Sequence, residues 1–281
     1  MRVSEALVLL EGYLKRKSIE TSKVDAELLL ASVLECKRLE VFLNHDCILS
    51  DLQLEQLRKL SIRRGHREPL QYILGEVDFY GQSLKVDPRV LIPRPETEEL
   101  VYQLHQYLQD KPHKWGLDLG TGSGAISIAL LALEETLNMV AVDNSTKALE
   151  VAYDNAVANR VQQRLTLMCS SWFEKLGGKH FDFIVSNPPY LSKEELEIAQ
   201  PEVKMYEPRT ALVAKENGIS DLKHILWEAK QYLNPGGVVV LETGLNQHET
   251  LAGCAKNWGY CEVKSTFDLS HRKRFFWAWV A

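Results

Sequence analysis

The pentapeptide Ser-Asn-Pro-Pro-Tyr, residues 186–190, directly follows the apolar run FDFIV and carries the side chains best suited to chemistry. Its two prolines fix φ and donate no N–H groups, so the stretch ends a strand and can present carbonyl oxygens to a ligand. The side-chain oxygen of Asn187 and the carbonyl oxygen of Pro188 could accept the two N–H groups of a flat amide or aryl amine. The ring of Tyr190 could stack on that flat group and hold it in place.

A planar nitrogen is a poor nucleophile because its lone pair is delocalised into the π-system. Two acceptors bound to its N–H groups would orient it and favour sp³ character, as methylation requires. A hydride-transfer enzyme would instead need a general acid or base, usually His or Lys, at the corresponding place. The stretch therefore predicts methyl transfer to a flat nitrogen.

A second candidate ligand-binding stretch is Asp-Leu-Gly-Thr-Gly-Ser-Gly-Ala, residues 118–125, between a predicted strand and a predicted helix. Its glycines let the backbone turn tightly and approach a ligand closely. Asp143 ends the next strand, where its carboxylate could accept hydrogen bonds from both hydroxyls of a ribose. The glycine pattern with an acidic residue about 20 positions on also fits a dinucleotide fingerprint. Both S-adenosylmethionine and a nicotinamide dinucleotide therefore stay open as cofactors.

Trp172 follows the third predicted strand and has two interpretations. Its ring could lie beside the adenine of either cofactor, or it could pack in the core.

These stretches belong to a regular alternation of strands and helices, which predicts a mostly parallel sheet covered on both faces. The fourth strand of such a sheet neighbours the first, where strand order reverses, so residues 186–190 should face the same crevice as the glycine loop. The C-terminal segment predicts an antiparallel hairpin at the sheet edge. The predicted strands are residues 115–120, 138–143, 164–170, 181–186 and 236–242, with two more in 260–281.

The first 75 residues predict a small helical bundle. Ser4 and Ser50 are predicted N-caps, and Ser22 with Asp25 resembles a capping box. Residues 76–90 read as a β-hairpin linker, and Pro93 and Pro95 lead into a helix.

Composition narrows the classes of function. The 281 residues carry a net charge of −5, which argues against DNA as the main partner. Five scattered cysteines suggest neither a disulfide framework nor a metal site. The N-terminal segment reads as an amphipathic helix, and no run approaches the roughly 18 apolar residues that span a bilayer. A cytoplasmic protein with no membrane association is expected.

Seven segments spread over nearly the whole chain carry a family resemblance: RRGHREPLQYILG (63–75), VDPRVLIPRPETEELV (86–101), LDLGTGSGAISIAL (117–130), VAVDNSTKALEVAYDNA (140–156), FDFIVSNPPYL (181–191), EPRTALVAKENG (207–218) and LNPGGVVVLE (233–242). In this order they resemble the segments of the HemK/PrmC family of release-factor glutamine methyltransferases. The stretches PRPETE and REPLQY within them separate this family from DNA adenine methyltransferases, which share only the NPPY stretch (residues 187–190).

The resemblance implies an α/β fold with three parts in chain order. These are a helical substrate-recognition domain (1–75), a β-hairpin linker (76–90) and a seven-stranded, Rossmann-like class I methyltransferase domain (91–281). The resemblance also implies methylation of the Gly-Gly-Gln glutamine of peptide chain release factors at N5, with S-adenosylmethionine converted to S-adenosylhomocysteine. The ribosome would be at most an indirect partner. The cofactor contacts implied are Gly120, Thr121, Gly122, Ser123, Gly124, Asp143, Trp172 and Asn187; the substrate contacts are Asn187, Pro188, Pro189 and Tyr190, of which Asn187, Pro188 and Tyr190 are expected to act in catalysis.

Other classes of function share parts of this pattern. An N6-adenine methyltransferase shares the NPPY stretch but would need a flipped base and a basic groove. The glycine loop alone would also suit an NAD-dependent oxidoreductase or an inactive cofactor-binding module. Two basic clusters, residues 63–67 and 272–274, could be solvated faces or could contact an acidic release factor or ribosomal RNA.

Overall fold

A computed structural model describes residues 1–109 and 115–281, within which the chain forms helices α1–α13 and strands β1–β9. They divide into two compact units, one of Met1–Gly75 with Gln200–Tyr206 and one of Glu76–Ala199 with Glu207–Ala281. The helices are α1 (Val3–Arg16), α2 (Ser22–Leu34), α3 (Glu40–Leu43), α4 (Asp51–Gly65), α5 (Leu70–Leu74), α6 (Pro95–Leu108), α7 (Ala125–Leu133), α8 (Thr146–Ala158), α9 (Lys193–Ile198), α10 (Pro201–Tyr206), α11 (Lys215–Gly218), α12 (Ser220–Ala229) and α13 (His248–Asn257). The strands are β1 (Glu76–Phe79), β2 (Gln82–Lys85), β3 (Trp115–Leu119), β4 (Asn138–Asp143), β5 (Leu165–Cys169), β6 (Phe181–Ser186), β7 (Leu233–Glu242), β8 (Glu262–Phe267) and β9 (Lys273–Trp279).

The first unit, called here the helical unit, buries apolar side chains of its three longer helices, α1, α2 and α4, in a shared core. Its core includes Leu10 and Leu14 of α1, Leu29 and Leu30 of α2, and Leu57 of α4.

The helix starts of this unit agree with the sequence only in part. Ser50 caps α4 as predicted: its Oγ accepts from Gln53 N at 3.3 Å, and the Gln53 side chain accepts from Ser50 N at 3.0 Å. The prediction for Ser4 is wrong, because α1 begins after Arg2. The capping box at Ser22 is also wrong, because α2 begins after Thr21.

The Asp25 side chain instead forms a buried ion pair with Arg64 of α4, at 2.6 Å. Glu202 of α10 bridges Arg64 and Arg67, at 2.8 and 2.6 Å, while Arg63 pairs with Glu68 at 2.6 Å. The basic cluster at 63–67 is therefore largely neutralised within the helical unit.

The second unit, called here the sheet unit, is built on a seven-stranded sheet in the order β5-β4-β3-β6-β7-β9-β8. Strands β5, β4, β3, β6 and β7 are parallel, and β9 pairs antiparallel with both β7 and β8. Buried apolar side chains form one core on each face of the sheet. The seven strands, the C-terminal hairpin and the pairing of β6 with β3 confirm the predicted α/β fold.

Strand register brings the ends of four parallel strands to one edge of the sheet. Leu119 of β3 pairs with Val142 of β4 on one side and with Ser186 of β6 on the other, and Ser186 pairs with Leu241 of β7. In the order of the strands, Asp143, the glycine loop, the NPPY stretch and Glu242 therefore follow one another along these strand ends, where ligands bind in open α/β sheets.

The hairpin β1–β2 turns through Tyr80 and Gly81, both with positive φ, as the tightest hairpin turns require. Phe79 and Leu84 are buried in the core of the sheet unit that also holds Leu100 of α6. The hairpin thus packs as part of the sheet unit.

Over the described ranges, none of the helices combines the length and apolar character that crossing a bilayer requires.

Candidate active site

The loop between β3 and α7 uses its glycines as the sequence suggests. Gly120, Gly122 and Gly124 have φ of 70°, 55° and 82°, values in the left-handed region that side chains disfavour. Below the loop, Asp118 accepts hydrogen bonds from Thr121 Oγ1 at 2.7 Å and from Ser127 Oγ at 2.8 Å. Burial raises the pKa of Asp118 to about 6. This carboxyl fixes the loop from inside.

Asp143 stands at the end of β4 and is tied to its surroundings through both oxygens. Oδ2 accepts from Gly122 N and Oδ1 from Ser145 N, each at 2.9 Å. Each carboxylate oxygen has a further lone pair, so both can still accept from the hydroxyls of a ribose. Burial raises the pKa of Asp143 above its ordinary value.

A cavity of about 260 Å³ opens above the loop. Trp172 borders it with a φ of 46°, and its ring lies beside Gly120 while packing against the core. Both interpretations of Trp172 are thus compatible with its position. The cavity is lined by Arg89, Val90, Leu91, Gly120, Gly122, Val142, Asp143, Asn144, Ser145, Ala148, Ser170, Ser171, Trp172, Asn187, Pro189, Pro208, Thr210, Ala211 and Asp221.

The remaining sequence-predicted residues lie around this cavity rather than on its wall, as far as the described residues show. Thr121 and Ser123 are buried in the loop, and Gly124 caps α7. Pro188 is buried and Tyr190 is partly buried beside the second core.

The NPPY stretch is connected to Glu242, at the end of β7, by three hydrogen bonds. Asn187 Nδ2 donates to Thr97 Oγ1 at 3.1 Å, and Thr97 Oγ1 donates to Glu242 Oε2 at 2.7 Å. Tyr190 Oη donates to Glu242 Oε1 at 3.1 Å. Asn187 Oδ1 is buried and has no hydrogen-bond partner among residues 1–109 and 115–281.

Electrostatics around Glu242 are unusual for a carboxyl group. Only 1% of the residue is exposed, and burial raises its pKa although Thr97, Tyr190 and the Arg274 charge oppose the shift. Burial, reinforced by the Glu242 charge, also raises the pKa of the Tyr190 hydroxyl, which therefore stays protonated.

The backbone of the NPPY stretch is held as well. Gln247 Nε2 donates to the carbonyl oxygens of Tyr190, at 2.9 Å, and of Gly218, at 3.1 Å. A side chain at Gly218 would overlap the Tyr190 carbonyl oxygen. Gln247 and Gly218 thus fix the main chain of Tyr190, while Glu242 fixes its hydroxyl group.

Sequence reasoning assigned no role to Thr97, Asp118, Glu242 or Gln247. Thr97, Asp118 and Glu242 lie inside segments that carry the family resemblance, and only this position could have indicated a role for them. Gln247 lies outside those segments, so nothing in the sequence indicated a role for it. Asp221, at the start of α12, also lines the cavity without any sequence indication.

Nowhere in the described ranges do three or more His, Cys, Asp or Glu side chains form a group that could hold a metal ion.

Two family models match the chain. The PrmC N-terminal domain matches residues 5–75, and the methyltransferase small domain matches residues 100–205.

Curated relatives match over nearly their full length, and each is named release factor glutamine methyltransferase. The protein of Geobacter sulfurreducens is 41% identical, covering 92% of this chain and 89% of its own. That of Salmonella typhimurium is 38% identical over 91% of both chains, and that of Escherichia coli 35% over 95% of both.

Solved structures share the fold at low identity. The catalytic domain of human METTL16, in complex with an RNA hairpin, has a TM-score of 0.59 at 17% identity, covering 82% of each chain. The 16S rRNA N2 G1207 methyltransferase of Thermus thermophilus, in complex with AdoMet and guanosine, has a TM-score of 0.54 at 19% identity, covering 73% of this chain and 50% of its own.

Proposed function

Because this chain belongs to the family of release factor glutamine methyltransferases, we propose that it methylates the side-chain amide nitrogen (N5) of the glutamine in the Gly-Gly-Gln motif of peptide chain release factors. The methyl donor is S-adenosylmethionine, which decides between the two cofactors that the glycine loop left open. The expected family, enzyme class and cofactor are thereby confirmed, and the nucleic-acid alternative is not favoured.

The residues present fit this cofactor. The glycine loop leaves a cradle that side chains would fill, and Asp143 offers two oxygens with free lone pairs. We assign the methionine part to Gly120–Gly124, the ribose to Asp143 and the adenine to Trp172. When bound, S-adenosylmethionine supplies an electrophilic methyl group on a sulfonium sulfur.

The observation that carries the proposal is the buried Asn187 Oδ1, which accepts no hydrogen bond from the described part of the chain. An unsatisfied buried acceptor costs about 1–3 kcal/mol, which a donor from a substrate would recover. Asn187 lines the same cavity as Asp143 and Trp172. A glutamine side-chain amide carries the N–H donors that this oxygen requires.

The chain's own contribution to the reaction is then to bind and orient the amide. Asn187 Oδ1 accepts one N–H, and the Pro188 carbonyl is assigned the other. Tyr190, held by Glu242 and Gln247, packs against the flat group, and Pro189 completes the wall. Orientation of this kind contributes about 7–11 kcal/mol at best in well-aligned systems, and no general base is assigned.

We assign recognition of the release factor to residues 1–75, with the ribosome at most an indirect participant and no direct binding of DNA. We assign the reaction to the cytoplasm, in keeping with release factors as its substrates.

Labelling tests the proposal. The full chain is incubated with labelled S-adenosylmethionine and a release factor made without the modification, and the label is located by peptide mass spectrometry. We expect it on the Gly-Gly-Gln glutamine, and none on a factor whose glutamine is replaced by alanine. Label on added DNA, or equal labelling of the alanine factor, would contradict the proposal.

The Asn187→Ala variant should lower kcat by about 100-fold or more, because the amide loses its orienting acceptor. Its affinity for S-adenosylmethionine, measured by calorimetry, should persist in part. Wild-type turnover by this variant would show that Asn187 does not bind the reacting amide.

A further inference from the structure

We propose that Glu242 is a positioning residue that fixes, through Thr97, which end of the Asn187 amide faces the substrate. The inference rests on the proposed function for the identity of that substrate. It concerns the path Asn187–Thr97–Glu242–Tyr190, in which each member is bonded to the next.

While Glu242 is ionised, the direction of every hydrogen bond in this path follows from its carboxylate. An ionised carboxylate has no hydrogen to donate, so both hydroxyl groups that contact it must donate to it. Tyr190 Oη and Thr97 Oγ1 each have a single hydrogen, and both are thus committed to Glu242.

Thr97 Oγ1 then has only lone pairs to offer its other neighbour. An amide has one accepting end and one donating end, and only the donating end can bind a hydroxyl oxygen without a free hydrogen. Nδ2 of Asn187 therefore faces Thr97, and Oδ1 is left as the acceptor that the flat substrate nitrogen needs.

The reverse arrangement would remove this acceptor. If the amide of Asn187 turned over, Oδ1 would meet a hydroxyl with no hydrogen for it, and Nδ2 would be the group left for the substrate. Two N–H donors would then face each other, so the amide could not be oriented for attack.

Chain topology explains why these residues meet. Thr97 lies in the first turn of α6, which begins at Pro95, and Glu242 ends β7 at the sheet edge that also carries the NPPY stretch. Thr97 and Glu242 are both buried, at 3% and 1% exposure, so water does not compete for their hydrogen bonds.

The path works in this direction only while Glu242 is ionised. Burial and the nearby Glu96 raise its pKa, whereas Thr97, Tyr190 and the Arg274 guanidinium stabilise its charge. Glu242→Gln reproduces the neutral state at nearly the same shape, because its amide can donate to Thr97 and release the threonine hydrogen toward Asn187.

Substitutions at Thr97 and Glu242 test the proposal in the full chain. Thr97→Val and Glu242→Gln should each lower kcat by about 10- to 100-fold, with the KM for S-adenosylmethionine within about twofold of wild type. Thr97→Ser keeps the hydroxyl and should restore most of the rate. Wild-type kcat in Thr97→Val, or a Thr97→Ser variant as slow as Thr97→Val, would overturn the proposal.

Thr266→Val is the matched control. Like Thr97 Oγ1, Thr266 Oγ1 accepts one hydrogen bond, from Trp277 Nε1 at 3.0 Å, and donates another, to Gln103 Oε1 at 2.6 Å. Thr266 lies in β8, outside the path. This variant should lose thermal stability comparably to Thr97→Val while its kcat stays near that of wild type. A similar loss of kcat in Thr266→Val would show that stability alone explains the effect.

A second readout needs no substrate. In protein labelled with ¹⁵N at asparagine side chains, the Asn187 signals are identified by their loss in Asn187→Asp. Their hydrogens should exchange with solvent about tenfold more slowly in the wild type than in Thr97→Val, because Thr97 shields them. Equal exchange rates in the wild type and Thr97→Val would overturn the path, even if the wild type methylates glutamine. If the wild type exchanges slowly but does not methylate glutamine, only the proposed function is contradicted.

Discussion

At the scale of single residues, the site consists of hydrogen-bond acceptors placed before any ligand binds. Asn187 and Asp143 could be identified from the sequence because Asn187 directly follows an apolar strand and Asp143 ends one. Thr97 and Glu242 could not, because their roles depend on a contact between residues 145 positions apart. No local pattern encodes such a contact, so the acceptors were predictable and the groups that orient them were not.

Asp143→Asn should weaken binding of S-adenosylmethionine by about 10- to 100-fold, since it replaces one charged acceptor by a donor. Calorimetry measures the change, with Asp154→Asn, an exposed change on α8, as the control. Burial raises the pKa of Asp143 above its ordinary 3.8, so wild-type affinity should fall as the pH is lowered toward that raised value. The same fall in Asp143→Asn would assign the pH dependence to another group.

At the scale of elements, the sequence predicted the start of a helix correctly where nearby side chains bind the free backbone N–H groups at that start. The predicted N-cap at Ser50 is confirmed, because Gln53 N donates to Ser50 Oγ and the Gln53 side chain accepts from Ser50 N. At α1, the carbonyl oxygens of Cys47 and His45 accept from the first N–H groups, so a cap at Ser4 is not needed. The alternation of strands and helices along the chain predicted the parallel sheet. Its strands could be recognised because a strand that is buried on both faces is a continuous apolar run.

Gly218→Ala should lower kcat by at least about tenfold, because the added carbon would displace the Tyr190 carbonyl that Gln247 holds. Gly236→Ala is the matched control: its φ of 73° is close to the 85° of Gly218, but its added carbon would meet no atom within 4 Å in the described structure. Both variants should lose about 1–2 kcal/mol of stability from the left-handed backbone. Equal kcat values in the two would show that Tyr190 tolerates the shift.

At the scale of the whole molecule, the chain enters the helical unit twice, at Met1–Gly75 and again at Gln200–Tyr206. The second entry brings Glu202 to Arg64 and Arg67, and the Tyr206 hydroxyl to the carbonyl of His66 at 2.9 Å. The predicted domain of residues 91–281 includes residues 200–206, because a seven-residue return carries no compositional signal. The basic cluster at 63–67 did not predict this return either, because Glu202, the partner of Arg64 and Arg67, lies in a distant segment of the sequence.

Glu202→Gln should destabilise the helical unit by about 3 kcal/mol at pH 7, because it removes a partner from the buried Arg64. Burial raises the pKa of Glu202, but hydrogen bonds from Arg64 and Arg67 outweigh it and hold the pKa below its ordinary 4.5. The wild-type advantage should therefore be complete above about pH 4.5 and disappear as the pH falls through the lower folded value.

Hydrogen exchange of the α4 amides measures this local stability. Glu55→Gln, which breaks an exposed pair with Lys59 on the same helix, is the control and should change exchange little. A Glu202→Gln variant whose α4 amides stay as protected as in the wild type at neutral pH would contradict the bridging role.

The return of the chain to the helical unit also sets an order of events during translation. Glu202 is made 138 residues after Arg64, which at ordinary elongation rates is about 7–28 s later. Throughout that interval Arg64 can find Asp25, but Arg67 lacks the carboxylate that later binds it. The NPPY stretch has left the peptidyl transferase centre before Glu202 is added, so the nascent helical unit reaches its final form only after the catalytic residues have been synthesised.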